Sequence, residues 1–143
     1  DTEAIADLRI KSQNLHGATF GGDIIPAMID EIPALAALAC FAEGETIIKD
    51  AEELKVKESN RIKVMVEELS KMGAQIEETE DGMIIHGKHS LHSAQIDSHK
   101  DHRIAMTFSI LSRAIGQDLP IIDKDCVKIS YPNFYKHLHS LSS

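Results

Sequence analysis

The chain carries one pattern twice, and that repeat narrows its fold more than any other feature. In the first copy Asp30 opens an apolar helix that stops at Gly44, a short strand follows (TIIKD), and Lys57 stands in the loop beyond it. In the second, Asp101 opens a helix that stops at Gly116, a strand follows (PIIDKD), and Lys128 stands at nearly the same spacing past its glycine. Each copy then passes through a loop into a further helix. Acids suit helix starts, where unpaired N–H groups leave partial positive charge. Glycine suits the position just past a helix end, where the backbone turns left-handed. Two α/β units can share such a pattern by chance, so the repeat is an expectation for the structure to decide.

The rest of the chain fills in an α/β (α+β) fold. Residues 6–12 alternate Leu8 and Ile10 with polar residues, the period of a strand. Gly17, Gly21 and Gly22 mark a loop. The first helix runs from Ile32-Pro33 to about Glu43, and a strand covers 45–49. A second helix over about 58–72 places Ile62, Met65, Val66, Leu69 and Met72 on one face and ends at Gly73. Asp81-Gly82 between the apolar runs 75–79 and 83–87 signals a hairpin. An edge strand near 94–97, a buried helix over 101–115, a strand over 119–123 and a helix over 133–141 complete the chain. The order strand–helix–strand–helix–strand–strand defines one βαβαββ unit over about 7–90, with a second over about 91–143.

Composition removes several function classes. The 143 residues correspond to one domain. The formal charge of −8 with few aromatics argues against a nucleic-acid surface, though not against small anions that respond to local charge. The longest apolar run, 32–42, is half of what a membrane span needs, so no membrane partner is expected. The opening DTEAIADLRI carries no leader pattern and reads as mid-protein, as in a fragment of a longer chain. Two cysteines, Cys40 and Cys126, are too few for a disulfide framework and fit a reducing cytoplasm.

Three clusters have the residue types of a reactive site. Asp30-Glu31 stands at a helix start, where capping or dipole compensation is by itself the ordinary explanation. Lys55-Val56-Lys57-Glu58-Ser59-Asn60-Arg61 puts Lys57, Glu58 and Arg61 within one turn if the helix begins at Lys57. Two cations beside a carboxylate at a helix start suit a phosphate or carboxylate ligand, and equally a solvated helix face. His99-Lys100-Asp101-His102-Arg103 opens the third helix, where Arg103 and the helix N–H groups can grip an anion. The neighbouring His86, His89 and His92 raise a metal reading, but no pair has HExxH spacing.

IDEIPALAALACFAEG, LKVKESNRI, HKDHRIAMTFSI and SYPNFYKHL occur here in one order. Together they resemble the C-terminal part of the 5-enolpyruvylshikimate-3-phosphate synthase family. The likeness runs through nearly the whole chain, and the pairing of KES-x-R with DHR-x-AM is its most specific element. The resemblance implies two globular domains built of βαβαββ units, with helix N-termini facing a cleft. This chain would supply about two units of one domain, and the missing N-terminal part of the enzyme would be its partner. The implied reaction moves the enolpyruvyl group of phosphoenolpyruvate to the 5-hydroxyl of shikimate 3-phosphate, releasing phosphate, with no metal or organic cofactor.

Matched by motif, Asp30 takes the place of the family's proton-accepting aspartate and Glu58 that of the glutamate assigned to proton transfer at the methylene carbon. Lys57 matches a substrate-contacting lysine, and Arg61 and Arg103 match the two arginines that bind phosphoenolpyruvate. Asn60 departs from the aspartate frequent at its position. Ile129 stands where some members have a ligand-binding lysine, and Lys128 is one residue away. Asp101 and His102 complete the motif, although helix capping explains Asp101 equally well. The alternatives are a UDP-N-acetylglucosamine enolpyruvyl transferase and a non-catalytic fragment that binds anions without turnover.

Overall fold

The computed structural model describes residues 5–141. Its elements are β1 (Thr19–Phe20), α1 (Ile24–Ala27), α2 (Ile32–Ala39), β2 (Glu45–Ile48), α3 (Arg61–Lys71), β3 (Gln75–Glu78), β4 (Met83–His86), β5 (Ile96–Asp97), α4 (His102–Ile115), β6 (Ile121–Ile122) and α5 (Phe134–Leu141). Two short 3-10 helices, Glu52–Val56 and Lys124–Ile129, follow β2 and β6.

The repeat is present in three dimensions. β1 and β2 pair in parallel with α1 and α2 between them, and β5 and β6 pair in parallel with α4 between them. In each copy an aspartate in the left-handed region follows the second strand: Asp50 at φ 58° and Asp123 at φ 55°. Each then enters its 3-10 helix, which buries Leu54 or Val127. Each leaves it through an exposed aliphatic residue, Val56 at 80% and Ile129 at 81%. All three pairs share one offset along the chain. By that offset the structural partner of Lys128 is Lys55, while Lys57 corresponds to Ser130. The pairing of Lys57 with Lys128 suggested by sequence spacing is therefore out of register.

The first unit extends its sheet to four strands in the order β1-β2-β4-β3, with β4 antiparallel to both neighbours. The second unit keeps two strands. One continuous apolar core joins the units: Ile32, Ile48, Leu54, Met65, Leu69 and Ile85 of the first pack with Ile96, Ile104, Phe108 and Leu111 of the second.

Local chemistry explains where the elements depart from expectation. Residues 5–15 form no strand, and Leu8 and Ile10 are exposed. Alternation selects the face a strand would bury, but a strand also needs a neighbour for its N–H and C=O groups. Among the described residues, the first strand of the unit is instead β1, beside β2. After Ala39 the chain winds tighter, with Cys40, Phe41 and Ala42 each bonding three residues back, before Gly44 turns at φ 87°. The α-helix thus ends before Glu43, although the helical path continues.

α3 begins three residues later than expected. Asn60 caps it, its side chain accepting from Lys63 N at 3.1 Å, so residues 57–59 stand outside the helix. The hairpin has a four-residue loop, since Glu78 pairs with Met83. Gly82 is required there by close approach: an added Cβ would lie 1.9 Å from the Ile48 carbonyl oxygen. β6 is cut short by Pro120, which has no N–H to donate, and by the turn at Asp123.

Candidate functional site

The start of α3 and the start of α4 meet at one guanidinium. Arg61 is the first residue of α3 and is only 1% exposed. Its Nε donates to Asp101 Oδ2 at 2.9 Å, Nη1 to Asp30 Oδ1 at 2.8 Å, and Nη2 to Glu58 Oε2 at 2.7 Å. A longer bond joins Nη2 to Asp101 Oδ1 at 3.3 Å. Three carboxylates from three segments therefore share one cation. Asp30 comes from the turn before α2, Glu58 from the link after the 3-10 helix, and Asp101 from the cap of α4.

Arg103, in the first turn of α4, lies on the other side of Asp30. Its Nη2 reaches Asp30 Oδ2 at 3.3 Å, and Nη1 stands 3.9 Å from Glu31 Oε1. Its Nε is buried and has no hydrogen-bond partner among the described residues, while the side chain as a whole is 33% exposed. Cations at helix N-termini oppose the helix dipole, so two arginines at two such ends need anions nearby. Asp30, Glu58 and Asp101 supply them within the protein. Arg103, less fully committed than Arg61, keeps capacity for an anion from outside.

Lys57 pairs with Glu53 Oε1 one turn back, and its charge also reaches Asp30. The Arg61 hydrogen bond holds Asp30 below the usual aspartate range against partial burial, helped by the charges of Arg103 and Lys57. Burial alone would push Asp101 up, but Arg61, the Ser59 hydroxyl and the Arg103 backbone N–H more than reverse it. Burial also opposes the charge on Arg61, and the bonds to Asp101 and Asp30 outweigh it, so Arg61 stays firmly cationic. The side chains of Asp30 and Glu58 are 41% and 49% exposed, unlike the buried Arg61 that joins them.

All five residues singled out from the sequence thus lie around one point: Asp30, Glu58, Arg61 and Arg103 in direct or bridged contact, and Lys57 within their field. Three neighbours from the same sequence clusters show their contacts only in the structure. Asp101 is the cap of α4, accepting from Arg103 N at 2.9 Å, and also the buried anchor of Arg61. Ser59 donates to Asp101 Oδ2 at 2.9 Å. His102 Nδ1 stands 3.9 Å from Glu58 Oε1. The link between Asp101 and Arg61 joins distant parts of the chain and has no signature in local spacing.

The other sequence features fall elsewhere. Lys128 pairs with Asp125 at 2.9 Å. His86 sits between Glu45 and Glu77 on the sheet, 3.6 Å from each. Among the described residues no group of three or more His, Cys, Asp or Glu side chains is arranged to hold a metal ion. Cys40 is buried, its thiol pushed up to about 11 by burial. No helix among the described residues is long and apolar enough to cross a membrane.

Known proteins resemble the chain over most of its length. The family model described as EPSP synthase (3-phosphoshikimate 1-carboxyvinyltransferase) matches residues 2–138. The 3-phosphoshikimate 1-carboxyvinyltransferase of Thermoanaerobacter sp. (strain X514) is 52% identical over 136 residues, covering 95% of this chain and 32% of that protein. That of Bacillus licheniformis is 51% identical over 143 residues, covering 99% of this chain and 33% of the relative. Among solved structures, an EPSP synthase from Acinetobacter baumannii superposes with a TM-score of 0.82 at 39% identity, over 89% of this chain and 30% of that one. The chain spans about a third of the length of the curated relatives it matches.

Proposed function

Because the chain belongs to the EPSP synthase (3-phosphoshikimate 1-carboxyvinyltransferase) family, we propose that it contributes part of the active site of an enzyme that moves the enolpyruvyl group of phosphoenolpyruvate to the 5-hydroxyl of shikimate 3-phosphate. On this reading residues 7–90 and 91–143 are two βαβαββ-type units of one domain, the second holding only its first two strands among the described residues, and the remainder of a longer chain completes the site. A cytoplasmic setting suits the two free cysteines.

The observation that carries the reading is the shared guanidinium. Arg61 brings Asp30 and Glu58 from separate segments to adjacent Nη groups, with Arg103 bound to the same Asp30. The reaction needs such a set. The acceptor oxygen bonds to C2 of phosphoenolpyruvate as its proton leaves, and C3 gains a proton. In the second step C3 loses a proton while the bond from C2 to the phosphate oxygen breaks. Two positioned carboxylates serve these transfers: Asp30 takes the hydroxyl proton and Glu58 moves the proton at C3.

Asp30 is held ionised and therefore able to accept. Arg103, one-third exposed and holding Asp30 only at 3.3 Å, receives the phosphoenolpyruvate anion. Arg61, itself buried, keeps both carboxylates in place. Lys57 adds a positive charge for the acceptor side. Fixed cations in a partly desolvated cleft stabilise charge without reorganising during the reaction.

The test is phosphate release by the full-length protein given phosphoenolpyruvate and shikimate 3-phosphate. Glu58→Gln should lower kcat by at least about 10²-fold, the scale of a lost acid–base group, and change KM little. Arg103→Ala should mainly raise KM for phosphoenolpyruvate. Normal kinetics in both variants would sink the site assignment. Turnover only with UDP-N-acetylglucosamine as acceptor would replace the substrate, and no turnover by a folded full-length protein would leave an anion-binding role.

A further inference from the structure

Asp101 makes more bonds than a helix cap needs. One carboxylate oxygen accepting from Arg103 N at 2.9 Å would satisfy the start of α4. Yet Asp101 is fully buried and also accepts from Arg61 Nε and from Ser59 Oγ, each at 2.9 Å. Arg61 is therefore held by its buried Nε edge, while its outer Nη groups carry the two exposed carboxylates, Asp30 and Glu58. Beyond Arg61, Asp30 has Arg103 at 3.3 Å and Glu58 has His102 at 3.9 Å, and neither of these bridges the pair.

We infer that Asp101 is a positioning residue that acts through Arg61: by fixing the guanidinium plane it sets the separation and direction of Asp30 and Glu58. It touches no substrate. The inference rests on the functional reading above for its kinetic test, but its geometry does not depend on the identity of the substrates.

The experiment uses the full-length enzyme with Asp101→Asn, which keeps the volume and a capping oxygen but removes the charge that orients Arg61. Misplacement of a reacting group by about 1 Å can lower rate on the order of 10²-fold, so kcat should fall by that scale with little change in KM. The acid limb of kcat should move to higher pH. Asp30 then loses the Arg61 hydrogen bond that chiefly holds it low, while Arg103 and Lys57 still face it. Combined with Asp30→Asn, the loss should stay close to that of the more damaging single change, because both act on one unit. A folded Asp101→Asn enzyme with kcat and acid limb unchanged, or independent losses in the double variant, would overturn the inference.

If Asp101→Asn does not fold, Ser59→Ala decides. It removes one bond to the Asp101 carboxylate and leaves all charges in place. A several-fold drop in kcat with an upward acid limb supports positioning, and unchanged values overturn it. If the parent enzyme shows no turnover, the functional reading fails separately. Asp30 is then titrated by NMR in the parent and in Asp101→Asn, or in Ser59→Ala where the first does not fold. An upward displacement supports the role of Asp101, and coincident curves reject it.

Discussion

At the start of α3 the first unit places Arg61, and at the equivalent point of the repeat, the start of α5, the second unit places Phe134. The backbones leading there agree: a parallel strand pair, a left-handed aspartate, a 3-10 helix, and an asparagine whose carbonyl accepts the first helical bond, from Val64 N in one unit and His137 N in the other. Both side chains turn inward. Phe134 packs with Ala105 and Val127 in a small apolar cluster, whereas Arg61 gathers three carboxylates. The units also differ in the link that enters the crossover helix. Residues 21–31 lead into α2 and carry α1 and Asp30, while only residues 98–101 lead into α4. The fold thus sets a position, and one side chain with one longer link makes it either a packing site or a charged centre.

The largest expected effect comes from removing that charge. Arg61→Met leaves Asp101 buried without its cation, and breaking such a pair costs roughly 3–5 kcal/mol. The measurement is the denaturant midpoint. Adding Asp101→Asn to Arg61→Met should recover part of the loss, because the orphaned charge is gone. Simple addition of the two losses would show that the charges are not coupled.

Acid tests the same contrast without mutation. Asp30 and Asp101 lie below their ordinary value in the folded protein. In the unfolded chain each titrates near about 3.9. Their stabilising contribution is complete above that pH and is lost as pH falls through the folded-state values, where the unfolded chain binds more protons. Unfolding free energy should therefore fall on acidification below about pH 4, and less steeply in Asp101→Asn. Equal slopes would mean that the buried carboxylate contributes nothing.

The second unit should show the opposite character. Phe134→Ala should cost about 3 kcal/mol, the lower end for a buried phenylalanine, because its cluster is small and α5 can move inward. The loss should be nearly the same at pH 4 and pH 7, as no ionisable group is orphaned. A strong pH dependence would break the distinction between the two positions.

How much of this could be read from residues follows from the range of each interaction. The hairpin, the turns at Gly44, Gly73 and Gly116, and the order of elements from α2 onward depend on neighbours in sequence, so pattern revealed them, whereas β1 and α1 lie in a stretch that read as a loop. The missing strand at residues 6–12 depended on a partner edge, which alternation does not report. Asn60 as the cap of α3 was visible as a residue type but hidden by a helical pattern that also accommodates the residues before it. Asp30, Lys57, Glu58, Arg61 and Arg103 were singled out as a set through the motif resemblance, and the structure gathers them around one guanidinium. Residue chemistry alone left each with an ordinary helix-end explanation. Asp101 shows the limit most clearly: its capping role is local and legible, while its bond to Arg61 exists only because the starts of α3 and α4 meet.

The smallest effect separates the two left-handed aspartates. A non-glycine residue in that region is strained by roughly 1 kcal/mol, least for Asn and Asp, and glycine removes the strain while adding a similar entropy to the unfolded chain. Asp123 makes no side-chain cap bond, so Asp123→Gly should leave stability within about 0.5 kcal/mol of the parent. Asp50 does more: its Oδ2 accepts from Gly22 N at 2.8 Å and ties the end of β1 to the turn after β2. Asp50→Gly should therefore cost about 1 kcal/mol, the net worth of one ordinary hydrogen bond. Asp50→Asn keeps an acceptor and a tolerated backbone, and should recover most of it. The three unfolding midpoints decide between strain and tether. Equal effects at 50 and 123 would make the aspartate a backbone device shared by the repeat, whereas a loss confined to 50 shows the first unit using the same turn to hold the link that carries Asp30.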